Sequence, residues 1–200
     1  DGIRGRLMIE GQPVTVPLAG RASLMNALTV WSVCRDLKVS LSDYINIIGR
    51  LKPISMRLEM LRAGAMTILN DCYNANPASM ANALECLSGC GGAGKRRLVF
   101  IAGTMAELGE HSARLHRELG QRAAEAGVSL LLCVGAFAAD IAAGAAARCE
   151  TIETDTFENT DRLCNILHKC MRPDDIVLVK GSRATGLEQA VQRMGELFRL

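Results

Sequence analysis

No apolar run in the 200 residues reaches the roughly 18 needed to cross a bilayer, so membrane insertion is not expected. No secretory leader pattern opens the chain. It starts at Asp1 rather than at a methionine, which reads as a piece of a longer protein. An excess of one charge is missing too: 23 Lys and Arg stand against 21 Asp and Glu, a net +2. Phosphate backbones call for a basic stripe, so nucleic-acid binding is excluded as the main task. The only three-residue basic run, Lys95-Arg96-Arg97, follows the Gly-rich stretch 89–94 and precedes Leu98–Ile101. It reads as a solvated strand entrance.

Histidine is scarce, with three residues, and none of the eight cysteines forms a Cys-x-x-Cys pair. That spacing argues against a metal site, so no metal ligand is expected in these residues. Several cysteines lie in apolar segments, such as Cys133 within Leu130–Val134. Free cysteine behaves there as a small buried hydrophobe. Reduced thiols and a reducing cytoplasm are the expectation.

What is present is a globular balance, 49% hydrophobic and 22% charged, with room for one ordinary domain and a smaller piece. Leu7–Ile9 and Pro13–Leu18 flank Glu10-Gly11-Gln12 as a β-hairpin would. Ala22–Leu37 reads as a helix with Leu24, Leu28 and Trp31 on one face. Ser40-x-x-Asp43 resembles a capping box opening a second helix, with Tyr44, Ile47, Ile48 and Leu51 inward, which Pro53 ends. This first quarter is too short to build a sizeable core alone. Trp31, Ile47 and Ile48 are therefore expected to face apolar partners outside it, by self-association or by docking on residues 57–200.

From Arg57 onward strands are expected at about 57–61, 66–70, 97–102, 129–134, 150–154 and 175–180. Helices are expected at about 77–88, 111–126, 136–147, 156–170 and 185–198. Such alternation implies an α/β fold, Rossmann-like, with a mostly parallel sheet covered by helices on both faces. The first two strands, joined by Arg62-Ala63-Gly64, read as a hairpin. Polar residues gather where strands end, at Asp71, Gly103-Thr104, Gly135 and Gly181-Ser182-Arg183. In open α/β sheets that edge binds ligands.

Asp71-Cys72-Tyr73-Asn74-Ala75-Asn76-Pro77 is the most informative stretch. Pro77 suits a first helical position and Asn76 an N-cap. The loop delivers a carboxylate, a phenol and two amides beside a helix N-terminus. Such a loop can hold a ribose, a base edge or a phosphate. It can equally be an ordinary capped strand-to-helix turn, and the residues alone leave both open.

The stretch resembles the Asp-x-Tyr-Asn-Ala-Asn-Pro signature of the D-alanyl-D-alanine-adding branch of the Mur ligase family, with Ser79-Met80 following as expected. Arg57-Leu58-Glu59 resembles the Arg-x-Glu that opens the family's C-terminal domain. Gly103-Thr104-Met105-Ala106-Glu107-Leu108-Gly109, then Ser112 and His116, resembles its Gly-Asp-Met-x-Glu-Leu-Gly segment, with Thr104 in place of Asp. Val179-Lys180-Gly181-Ser182-Arg183 and Glu188 resemble its last strand and helix. Four motifs in the right order make the likeness specific. Gly20, Asn26 and Ala27 match a Gly-x-His-Asn-x-x-Asn-Ala helix start, with Ala22 and Ser23 where His and Asn are usual.

The resemblance implies that residues 1–52 end a central ATP-binding domain and that 53–200 form the C-terminal domain. It implies an ATP-dependent amide-bond ligase of cell-wall synthesis, working through an acyl phosphate. Its substrates would be UDP-N-acetylmuramoyl-tripeptide and D-alanyl-D-alanine. By the same resemblance Arg57 meets the ATP phosphates and acts in catalysis, Asp71 the ribose, and Asn26 the base. Tyr73 and Asn74 join the nucleotide site, and Asn76, Lys180 and Ser182 the substrate side. The family's phosphate loop and Mg²⁺ ligands have no counterpart in these 200 residues, so the piece is expected to be inactive alone. Rival readings are a folylpolyglutamate synthase, another Mur ligase, or a non-catalytic nucleotide-binding α/β module. His116 falls off the Leu115, Leu119, Ala123 stripe and is expected to be partly exposed.

Overall fold

The computed structural model describes residues 5–91 and 96–198. Strands β1 (Gly5–Ile9) and β2 (Gln12–Val16) form an antiparallel hairpin, with Glu10 and Gly11 both at positive φ in the turn. Helices α1 (Arg21–Asp36) and α2 (Leu41–Ile48) follow. Ser40 caps α2 by accepting from the Asp43 N–H at 3.1 Å. Its hydroxyl also donates to the Asp43 carboxylate at 2.6 Å. The hairpin and the two helices share a small core of Ile9, Val14, Val16, Ala27, Trp31, Tyr44 and Ile48. Trp31 packs on Tyr44 with ring centroids 5.1 Å apart, and Trp31 and Ile48 are both only 7% exposed. The sequence-based expectation of outside partners for these two is corrected: β2 supplies the alternating Val14 and Val16 that cover them. Ile47 stays 65% exposed, with Val30 and Val33 open on α1 and Leu37 open just past its end.

The rest of the chain builds one six-stranded sheet. Its strands are β3 (Glu59–Ala63), β4 (Met66–Asp71), β5 (Leu98–Gly103), β6 (Leu130–Val134), β7 (Glu153–Phe157) and β8 (Ile176–Lys180). The spatial order is β3-β4-β8-β5-β6-β7, with only the β3–β4 pair antiparallel. β5, β6 and β8 are near-continuous apolar runs because both of their faces are covered, and β4 is buried as well but carries Thr67 and Asn70 among its apolar residues. Helices α3 (Pro77–Cys90), α4 (Ser112–Glu125) and α5 (Ala138–Arg148) pack on one face, over Leu69, Phe100, Leu131 and Leu178. Helices α6 (Thr160–Cys164), α7 (Leu167–Cys170) and α8 (Glu188–Phe198) cover the other, over Ile68, Ile101, Leu132 and Val179. The period-2 alternation of each strand sorts its residues between these two cores.

Three expectations are corrected here. The strand placed at 150–154 runs over Glu153–Phe157, and the continuous helix 156–170 is two short helices. Asn159 sets the true start, accepting from the Arg162 N–H at 3.1 Å. The basic run is also not a solvated entrance. Arg97 makes a two-point contact with Asp175, at 2.9 and 2.7 Å, and the Asp175 side chain is fully buried. Arg96 donates to the carbonyls of Ala65, Asp174 and Asp175. Both arginines therefore staple β5 to the entry of β8. Lys95 lies outside the described residues.

α4 and α5 cross closely because Gly120 and Gly144 carry no side chain. A Cβ on Gly144 would fall 1.9 Å from the Arg117 carbonyl oxygen. The Arg97–Asp175 pair yields the first prediction. Removing one partner of a buried pair strands the other charge, which costs about 3–5 kcal/mol. Arg97→Ala is expected to lower the urea midpoint accordingly. A change below about 1 kcal/mol would place the pair among exposed, dispensable ones.

Candidate functional site

Asp71 and Lys180 end neighbouring parallel strands and are register partners. Lys180 is 2% exposed. Its ammonium lies 2.6 Å from Asp71 Oδ2 and donates to the Asn74 carbonyl at 3.0 Å. The other Asp71 oxygen accepts from the Leu58 N–H at 3.1 Å. Burial pushes the Asp71 carboxyl above the usual aspartate range, while Lys180, the Leu58 N–H and Arg57 pull it partway back.

Beyond Asp71 the loop is set by its own side chains. Asn74 Oδ1 accepts from the Ala75 N–H at 2.8 Å. Asn76 caps α3, accepting from Ser79 N at 2.8 Å, while the Ser79 hydroxyl accepts from Asn76 N, and Pro77 takes the first turn. Tyr73 is left 48% exposed, and the Arg57 guanidinium sits over its ring, 4.5 Å from the centroid.

Arg57 is held by an unusual turn. Met56 (φ 61°) and Leu58 (φ 48°) on either side are both left-handed, which costs about 1–2 kcal/mol each for side chains of this kind. Carboxylates hold the turn in place. Glu59 Oε2 accepts from Met56 N at 3.1 Å and from the Ser55 hydroxyl at 3.1 Å, as Asp71 does from Leu58 N. Tyr73 N donates back to the Met56 carbonyl.

These groups open onto one cavity of about 650 Å³ at the C-terminal edge of β4 and β8. Seven of the eight residues named from sequence line it: Asn26, Arg57, Asp71, Tyr73, Asn74, Asn76 and Lys180. Asn26 arrives from α1, so both parts of the chain contribute walls. Ser182 does not line it. Its hydroxyl accepts from the Ala106 N–H at 2.8 Å and borders a second cavity of about 290 Å³, with Thr104, Gly135 and Asn159. Sequence reasoning missed Glu59 as an anchor and Asn82 as a wall of the large cavity. Glu59 carried a faint signal, two residues past Arg57. Asn82 carried none, because its partner is 60 residues away. No group of three or more His, Cys, Asp or Glu among the described residues is placed to hold a metal ion.

The expected partial exposure of His116 is corrected: it is fully buried. The buried stripe of α4 is His116, Leu119, Gly120 and Ala123, with Leu115 at its margin. The ring stacks on Phe137 with centroids 4.5 Å apart. Met105 N donates to Nε2 at 2.8 Å, so Nδ1 carries the proton and gives it to the Ser112 carbonyl at 2.7 Å. The neutral imidazole thus ties the 104–109 loop to α4.

A family profile described as Mur ligase, glutamate ligase domain, matches residues 56–183. The chain belongs to the Mur ligase family. Among its Mur ligase relatives is the UDP-N-acetylmuramoyl-tripeptide--D-alanyl-D-alanine ligase of Bacillus subtilis, 29% identical over 182 residues, 90% of this chain and 39% of that protein. The same-named ligase of Escherichia coli K12 is 30% identical over 92% of this chain and 39% of its own length. The chain thus spans about two-fifths of the curated Mur ligases it matches. A crystal structure of MurF from Acinetobacter baumannii superposes with a TM-score of 0.80 at 26% identity, over 92% of this chain and 40% of that one. The MurF ligase of Thermotoga maritima in complex with ADP shares the fold, with a TM-score of 0.74 at 20% identity over 98% of this chain and 43% of that one.

In this Mur ligase chain His116 gives a pH prediction. Burial holds its pKa below the ordinary 6.5, against a smaller opposing pull from the Ser112 carbonyl and Asp140. The unfolded chain therefore binds the proton first as pH falls. The stability His116 contributes is complete above about pH 6.5 and declines as pH drops towards its folded pKa. Denaturation midpoints at pH 7.5 and 5.5 should differ, and His116→Gln should flatten that difference. An unchanged slope in the variant would contradict the assignment.

Proposed function

We propose that the chain is the nucleotide-closing part of an ATP-dependent ligase that joins D-alanyl-D-alanine to UDP-N-acetylmuramoyl-tripeptide. In this reading residues 1–52 complete a central ATP-binding domain and 53–200 form the C-terminal domain of a cytoplasmic enzyme. The observation that carries it is the shared cavity, in which Asn26, Arg57, Asp71 and Tyr73 meet from both parts. The names of the relatives supply the substrates.

The γ-phosphoryl group of ATP passes to the tripeptide carboxylate, and ADP leaves. The amine of D-alanyl-D-alanine then attacks the acyl carbon, loses a proton, and expels inorganic phosphate with the electron pair of the broken C–O bond. Arg57 is exposed and unpaired with any carboxylate among the described residues, so its planar fork is free for phosphate oxygens. Asp71 keeps acceptor capacity beyond its bonds to Lys180 and Leu58, enough for a ribose hydroxyl. Asn26, Tyr73 and Asn74 complete the nucleotide wall. Asn76 and Lys180 line the same cavity, with Lys180 acting through Asp71 and Asn74 rather than as a free charge, and a substrate role for Ser182 would be played at the second cavity. No three His, Cys, Asp or Glu side chains among the described residues are placed to hold Mg²⁺, so its ligands would come from outside them. Closure of this part over the nucleotide would exclude water from a labile acyl phosphate. Exposed Val30, Val33, Leu37 and Ile47 favour association with another apolar surface, a second copy included.

In the complete ligase Arg57→Ala should lower kcat by roughly 10²–10³, with only partial recovery in Arg57→Lys. Asp71→Asn should raise the KM for ATP. It should also destabilise the fold by about 3–5 kcal/mol, because Lys180 loses its counter-charge. An unchanged kcat in Arg57→Ala would overturn the assignment.

The 200-residue chain by itself should release no phosphate from ATP in the presence of both substrates, since no phosphate loop lies within it. Turnover that depends on both substrates would contradict this.

A further inference from the structure

One wall of the large cavity is closed by a contact spanning 60 residues of sequence. Helix α1 has no side-chain cap of its own, and the Ser23 hydroxyl turns back to the Ala19 carbonyl at 2.6 Å. The Ala22 N–H instead donates to Oδ1 of Asn82, on α3, at 3.0 Å. A backbone N–H can only donate, so the atom facing it must be the amide oxygen. The Asn82 NH₂ group therefore points elsewhere, and it has no hydrogen-bond partner among the described residues. Gly20 makes the approach possible: its φ is 86°, and a Cβ there would fall 2.8 Å from Asn82 Nδ2.

Asn82 lines the cavity, and so does Asn26, four residues after Ala22 on the same face of α1. Two neutral carboxamides suit the donor–acceptor edge of a heterocyclic base, as asparagine does with adenine. The charge for phosphate is supplied separately, by Arg57. We propose that Asn82 is a specificity-determining residue of this cavity. Its oxygen caps α1 while its NH₂ donates to a ring-nitrogen acceptor of a purine base. One carboxamide thus couples the junction of the two parts to the presence of a purine base in the cavity. This inference rests on the nucleotide reading above.

The test uses the 200-residue chain with ADP and inorganic tripolyphosphate as probes, measured by calorimetry or amide-shift titration. Asn82→Asp keeps the acceptor for the Ala22 N–H and deletes the donor. It should hold or raise the melting temperature while weakening ADP about fivefold, the worth of one net hydrogen bond. Tripolyphosphate affinity should stay unchanged. Asn82→Ala, which adds no charge, should weaken ADP by a similar factor and also lower the melting temperature. If Asn82→Asp binds ADP as tightly as the unsubstituted chain, Asn82 is a cap only and the inference falls alone. An equal loss for tripolyphosphate would assign the effect to charge and overturn it as well. If the unsubstituted chain binds no ADP, the nucleotide reading falls and takes this inference with it.

Discussion

A buried ammonium is costly unless its partners are fixed, and Lys180 has both of its recorded partners in the candidate site. Taking an ion out of water costs several kcal/mol even after relaxation. Lys180 offsets that with the Asp71 carboxylate at 2.6 Å and the Asn74 carbonyl at 3.0 Å. The geometry of the site follows from this requirement. Asp71 cannot leave its place at the end of β4 without stranding Lys180. The Asn74 carbonyl turns inward to Lys180, next to the exposed Tyr73 whose ring carries the Arg57 guanidinium. The second Asp71 oxygen holds Leu58 N, so the turn that presents Arg57 is anchored to the same carboxylate.

Arg57 itself forms no ion pair among the described residues, and the strain lies in the residues around it. Two left-handed, non-glycine residues flank it, held by Asp71 on one side and Glu59 on the other. Backbone strain of this kind persists where the surroundings over-determine it, and it clusters at binding and switch sites. Here it keeps a solvated guanidinium facing the cavity without a salt bridge that a ligand would have to break. Lys180 is spent on structure, and Arg57 is kept available.

Much of the fold was legible because β5, β6 and β8 are short, near-continuous apolar runs buried on both faces, and because α4 and α8 repeat their apolar residues at the helical period. The β7–α6–α7 region was misplaced because β7 is an edge strand with an almost wholly exposed pattern. Thr154, Asp155 and Thr156 carry no hydrophobic signal to mark it. His116 was misjudged although His116, Leu119, Gly120 and Ala123 stand at i, i+3, i+4 and i+7, the spacing of one helix face, because a histidine and a glycine carry little hydrophobic signal. The loop Asp71–Pro77 was readable as a local motif with a resemblance behind it. Asn82 was not, since a cap supplied from 60 residues away leaves no local pattern. Arg96 and Arg97 show the converse, because a charge run that reads as solvent-facing can be a set of staples.

The cavity between α1, the turn around Arg57 and the β4–α3 loop must receive a nucleotide if the chain is the nucleotide-closing part of a ligase. Titration of the ¹⁵N-labelled chain with ADP, followed by amide shifts, tests this directly. The largest shifts should fall on Ala22, Leu58, Tyr73 and Asn74. Shifts confined to Gly135, Asn159 and Thr185 around the second cavity, or none at all, would contradict it.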